Sequence, residues 1–136
     1  MARILIVEDN PANMRLATLL LYNAGHSVTG AVDAESGLAL ARADLPDLIL
    51  MDIQLPGMDG LAATALLKQD PVTSTIPVIA LTAMAMKQDE ENARAAGCDA
   101  YVAKPLNFRE LYAAIDTLLV KRVATEAGIS MTSRIA

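Results

Sequence analysis

Short apolar runs alternate along the chain with longer stretches of helical spacing. ILIV at 4–7 is followed by Asn10 and Pro11, an N-cap and first-turn pair, and then by Ala17, Leu20, Leu21 and Ala24 on one face, with Gly25 as the stop. That order predicts a strand and then a helix. HSVTGAV at 26–32 predicts a weaker strand, and Ala34, Leu38, Ala41 and Leu45 keep helical spacing behind it. LILM at 48–51 predicts a third strand, with Met58, Leu61, Ala62 and Ala65 as the inner stripe of the helix that follows. VIAL at 78–81 precedes a helix that ends near Gly97. AYVA at 100–103 leads to a last helix, opened by Asn107 and Glu110 as a capping box, with Phe108, Leu111, Ile115 and Leu118 turned inward.

Strands that are apolar throughout, each separated from the next by a helix, belong to a parallel sheet covered on both faces. The expected fold is therefore an open, doubly wound α/β domain: a five-stranded parallel sheet of flavodoxin-like (βα)5 form. Residues 1–121 are expected to make one domain. The pattern is lost in KRVATEAGISMTSRIA, so 122–136 is expected to be the end of the last helix and a loosely held tail.

Composition narrows the function. The 136 residues suit one domain of ~100 to 150 residues. With 54% hydrophobic but only 3% aromatic residues, the core must be built from Leu, Ile, Val, Ala and Met. A net charge of -5 opposes any surface for a nucleic-acid backbone, which needs clustered Lys and Arg. Cys98 is the single cysteine, so no internal disulfide forms and a reducing compartment fits; it reads as a small half-buried residue rather than a reactive thiol. His26 reads as an ordinary surface histidine. ARILIVEDN is too short and too acidic for a signal peptide, and no run approaches the ~18 apolar residues of a membrane span. A cytoplasmic protein without membrane contact is expected.

The ends of the apolar runs carry the chemistry. ILIV runs into Glu8 and Asp9, LILM into Asp52, VIAL into Thr82, and AYVA into Lys104 and Pro105. Parallel strands put their carboxyl ends on one edge of the sheet, where ligands bind, so these residues should converge. Three carboxylates in one cleft repel each other, and an oxygen-rich, sulfur-free cluster suits Mg²⁺. Metal, ammonium and hydroxyl around one carboxylate are the equipment for receiving a phosphoryl group on an aspartate.

IVEDN at 6–10, LMDIQLPGMDG at 50–60, ALTAMAM at 80–86 and YVAKP at 101–105, in that order, resemble the response-regulator receiver domains of two-component signalling. The resemblance covers about residues 2 to 120 and extends to the stand-alone, single-domain regulators. It implies that Asp52 is the phosphoacceptor and that Asp9, Asp52 and the backbone carbonyl of Gln54 ligate Mg²⁺ (or Mn²⁺), with Glu8 holding metal-bound water. It implies that Lys104 contacts the phosphoryl oxygens and that Thr82 and Tyr101 are the switch. The Lys104–Pro105 peptide is cis in such proteins, and Gln54 and Met84 tune the lifetime of the phosphoryl group. Asn10, Pro11, Asn13 and Met14, with Pro105 and Leu106, would dock a histidine kinase or a histidine phosphotransfer protein. The implied function is a phosphoacceptor switch rather than an enzyme, monomeric or weakly dimeric, acting on a downstream protein. An Mg²⁺-dependent aspartyl phosphohydrolase, a binding module independent of phosphorylation and an FMN carrier are the alternatives. Gln54 stands where such hydrolases carry a second aspartate, and no Gly- or Ser/Thr-rich phosphate loop follows the first strand.

Overall fold

The computed structural model describes residues 2–83 and 86–126, with side chains described as far as Arg122. Five strands alternate with five helices: β1 Arg3–Val7, α1 Pro11–Asn23, β2 Ser27–Ala31, α2 Ala34–Asp44, β3 Leu48–Asp52, α3 Gly60–Gln69, β4 Val78–Thr82, α4 Lys87–Ala96, β5 Ala100–Ala103 and α5 Phe108–Glu126. All strand pairs are parallel and the sheet order is β2-β1-β3-β4-β5. This is the expected flavodoxin-like doubly wound order. The tail at 127–136 and Met84 lie outside the described residues.

Burial follows position in the sheet. Every residue of β3 and β4 is buried, and β1 is buried after Arg3, because helices cover both faces of these central strands. β2 and β5 are the edges, which accounts for the weaker apolar signal of HSVTGAV. One core layer joins Ile4, Ile6, Leu50, Ile79 and Leu81 to Ala17 and Leu21 of α1 and to Leu111, Ile115 and Leu118 of α5. The other joins Leu5, Val7, Ile49, Met51 and Val78 to α2 and α3.

Five positions depart from the helical stripes expected of the sequence. Ala24 is the exposed C-cap of α1, and Leu45 is the left-handed C-cap of α2 (φ 48), so neither belongs to an inner face. In α3 the N-cap is Asp59, so Met58 precedes the helix, Ala62 is exposed, and the buried face is Gly60, Ala63, Thr64 and Leu67. Phe108 is 50% exposed, because as the first residue of α5 it turns back to meet Tyr112 edge to face and stacks under Arg109. Asn107 does cap that helix, accepting the Arg109 and Glu110 N–H groups.

Gly60 shows why α3 faces as it does. A Cβ there would lie 2.1 Å from the Asp52 carbonyl oxygen and 2.7 Å from Ile53 Cα, so the first turn of α3 rests directly on the backbone that carries Asp52. Gly60→Ala must push backbone against backbone. Urea unfolding is expected to show a loss of about 1–3 kcal/mol, the usual cost of overpacking, and an unchanged midpoint would contradict this contact.

Candidate functional site

The reversal of sheet order lies between β1 and β3, and the polar strand ends gather around it. Glu8 and Asp9 follow β1, Asp52 closes β3, Thr82 closes β4 and Lys104 follows β5. The strands are tied at this edge by Ile53 N–H to the Leu81 carbonyl at 3.1 Å and Lys104 N–H to the Thr82 carbonyl at 2.7 Å. Glu8, Asp52 and Thr82 are buried, whereas Asp9 is exposed at the mouth.

Lys104 connects the buried acids. Its Nζ lies 2.8 Å from Glu8 Oε1 and 3.1 Å from Asp52 Oδ2. The Gln54 N–H donates to Asp52 Oδ1 at 2.9 Å, and the Asn10 N–H donates to Glu8 Oε2 at 3.3 Å. Both oxygens of Asp52 are thus held. Asn10 serves twice, since its own Oδ1 accepts the Ala12 and Asn13 N–H groups and caps α1.

Two acids share one buried cation, and their ionisation separates. Burial pushes Glu8 up from 4.5 to about 7, and its hydrogen bond with Asp52 pushes the same way, against the pull of Lys104. Burial would raise Asp52 too, but the hydrogen bonds from Glu8, the Gln54 N–H and Lys104 outweigh it and hold this carboxyl below the usual range. Burial also opposes the Lys104 charge, yet its two carboxylate partners raise it above the ordinary lysine value. The two acids are therefore pushed in opposite directions, Asp52 toward its ionised form and Glu8 toward its protonated one.

Carboxylate oxygens of Glu8, Asp9 and Asp52 all lie within 4.8 Å of one another. Three carboxyl groups and one ammonium leave the cleft short of positive charge, and an all-oxygen donor set of this kind fits a hard divalent ion. Thr82 and Tyr101 are joined by a hydrogen bond, and Tyr101 stays half-buried at the β5 edge, its hydroxyl raised by burial and by Asp89. The Lys104–Pro105 peptide is cis, as the resemblance implies.

The remaining expected site residues sit at the start of α1 and just after β5. Asn10 and Pro11 are exposed at the start of α1, with Pro105 exposed beyond β5. Asn13 and Met14 are half-buried, and Met14 and Leu106 both pack on the core layer beneath α1 and α5. Met14 also fills the space beside Gly30, where a Cβ would meet its Cε at 3.0 Å. His26 is half-buried rather than a plain surface residue, and its Nδ1 accepts the Ala2 N–H at 3.1 Å. Burial raises the Cys98 thiol, in keeping with an inert residue. Two features were not read from the sequence: the role of Gly60 and the Gln54 side chain, whose Oε1 accepts the Ala83 N–H at 3.4 Å.

Fold and cleft together define a receiver-type phosphoacceptor domain. The chain belongs to the response regulator receiver domain family, whose pattern matches residues 4–116. It is similar to the polar-differentiation response regulator DivK of Brucella anthropi, 46% identical over 116 residues that cover 85% of this chain and 94% of that one. Its structure resembles a CheY-like response regulator receiver domain protein of Methanospirillum hungatei, with a TM-score of 0.84, 30% identity, and coverage of 92% and 98% of the two chains. It also resembles the receiver domain of sensor histidine kinase PA1611 of Pseudomonas aeruginosa, with a TM-score of 0.81, 36% identity, and coverage of 87% and 97%. That domain has a magnesium ion coordinated in its active-site cleft.

The raised Glu8 carboxyl has a measurable consequence. Glu8 binds a proton up to about pH 7 when folded but only to about 4.5 when unfolded, so between these values the folded chain holds more protons. Metal-free protein is expected to lose stability as pH rises through this window, and Glu8→Gln to lack that part of the slope. Urea unfolding in chelator from pH 4.5 to 7.5 measures it, and parallel pH profiles for the two proteins would contradict the assignment.

Proposed function

We propose that Asp52 accepts a phosphoryl group from a phosphohistidine on a histidine kinase or histidine phosphotransfer protein, and that the modified chain switches its binding to a downstream protein. The observation that carries this reading is the ionised, buried Asp52 held at both oxygens beside Lys104. An Asp52 carboxylate oxygen attacks phosphorus while the phosphorus–nitrogen bond breaks. Its electron pair stays on the imidazole nitrogen, and an aspartyl phosphate remains. Membership of the family and likeness to DivK support the same role.

Each residue has a task in the transfer. The Gln54 N–H fixes the carboxylate's rotation, so the nucleophile meets phosphorus already oriented. Lys104 is placed to follow charge from Asp52 to the incoming phosphoryl oxygens, and Glu8 holds the ammonium in position when it does. Thr82 closes the strand next to Asp52 and offers a hydroxyl to the new group, which would release Tyr101 from its present bond. Asp9, Asp52 and the Gln54 carbonyl would hold Mg²⁺ or Mn²⁺, with Glu8 on its water; the bound ion supplies charge neutralisation for the phosphoryl oxygens.

Asn10, Pro11, Asn13 and Met14 at the start of α1, with Pro105 and Leu106 after β5, are assigned to docking of the donor. Turnover as a phosphohydrolase is not expected, because the Gln54 amide has no proton to give as a general acid and its oxygen is engaged with Ala83. Among the described residues no helix is long and apolar enough to cross a membrane, and a cytoplasmic site of action fits a phosphorelay.

Intact-mass measurement after incubation with a small acyl-phosphate donor tests the reading. One phosphoryl group is expected on the wild type with Mg²⁺, and none without the ion or on Asp52→Asn. A modified Asp52→Asn protein would place the acceptor elsewhere, and an unmodified wild type with bound Mg²⁺ would favour a binding module that does not use phosphorylation.

A further inference from the structure

The later turns of α5 are tied to the turn between α2 and β3. Arg122 Nη1 donates to the Asp47 carbonyl at 2.6 Å and to the Pro46 carbonyl at 3.2 Å. Arg3 Nη2 donates to the two carbonyls before these, Asp44 at 2.8 Å and Leu45 at 2.6 Å. Two guanidinium groups thus satisfy the carbonyls that close α2 and its turn. The end of α5 is thereby held at the same edge of the sheet as the end of α2, the edge opposite the acidic cleft.

At that edge a groove of about 370 Å³ opens between α2 and α3. Leu38, Leu66 and Leu67 give it an apolar wall, Thr73 adds to its lining, and Arg42 of α2 pairs along it with Asp70, the C-cap of α3. Leu38, Arg42 and Leu45 are spaced four and three residues apart, so they share one side of α2. Leu45 and Leu66 are nearly half exposed, as is Val72 in the turn that carries Thr73. Groove and exposed side chains together make an apolar strip that begins next to the Arg122 anchor.

The chain continues beyond α5 as AGISMTSRIA, 127–136. Gly128 is a helix-stop residue, and after it the sequence alternates: Ile129, Met131 and Ile135 stand at odd positions, and Ser130, Thr132 and Arg134 at even ones. Such alternation puts the three apolar side chains on one side of an extended segment. Ten extended residues reach ~33 Å, whereas Pro46 to Leu38 is about 12 Å along α2, so length does not limit the path.

We propose that residues 127–136 dock in extended form along the α2–α3 groove of their own chain, with Ile129, Met131 and Ile135 against Leu38, Leu45 and Leu66. The surface covered is remote from Asp52, so the proposal stands or falls independently of the phosphoacceptor reading.

Methyl NMR of the full chain, labelled at Ile, Leu and Met, tests it. Cross-peaks are expected from Met131 and from Ile129 or Ile135 to Leu38 and Leu66. Leu66→Asp, at an exposed position, should abolish them. Met131→Asp leaves the groove intact and should abolish the remaining Ile129 and Ile135 contacts as well. Absence of the cross-peaks in wild type, or their survival in both variants, would overturn the proposal. So would cross-peaks to the exposed Leu16 and Leu19 of α1 in place of Leu38 and Leu66, or cross-peaks found only between differently labelled chains in a mixed sample, which would make the occupant a second copy.

Discussion

A buried aspartate is tolerated at the end of β3 because a lysine from the far end of the chain meets it. Lys104 is 96 residues from Glu8 in sequence and 2.8 Å from it in space, and the same ammonium lies 3.1 Å from Asp52. Removing such charges from water costs several kcal/mol per ion, so the cluster persists only while its members remain together. The sheet order brings them together: β1 and β3 are neighbours at the reversal point, with β4 and β5 following on one side. Every part of the fold that sets this register also sets the spacing of the acids.

One cation for two buried acids leaves an imbalance, and the imbalance is useful. The cleft meets it by pushing Glu8 toward its protonated form while Asp52 is held toward its ionised one. A divalent ion or a phosphoryl group entering the cleft meets a site already organised for charge, with little reorganisation left to do. The backbone contributes as well, since Gln54 directs its N–H to the carboxylate and Gly60 lets α3 rest on the carbonyl of the same residue. Side chain and main chain of Asp52 are therefore both held.

Much of this was legible in the sequence. The runs ILIV, LILM and VIAL are buried central strands, and the polar residues that end them converge because parallel strands share a polarity. Where reading failed, tertiary packing had overridden periodicity. The spacing of Met58, Leu61, Ala62 and Ala65 points to one face of α3, yet the first buried residue of that helix is Gly60, and the stripe shifts with it to Ala63, Thr64 and Leu67. Leu45 and Phe108 are apolar residues at helix ends, where the backbone turns away from the core and spacing no longer decides exposure. The bond from Ala83 to the Gln54 side chain had no sequence signal, since it joins two loops 29 positions apart.

The polarity of α4 reads the same way. With one buried residue, Ala93, α4 contributes little to the core, and the turn after it is bound by Lys68, whose Nζ lies 2.9 Å from Asp99 Oδ2. Reductive trapping locates the chemistry most directly: borohydride converts an aspartyl phosphate to homoserine, and fragmentation of the peptides shows where. After treatment with a small acyl-phosphate donor and Mg²⁺, homoserine is expected at position 52 alone. Its appearance at position 9 instead, or a phosphorylated chain that yields none, would contradict the assignment of Asp52 as the acceptor.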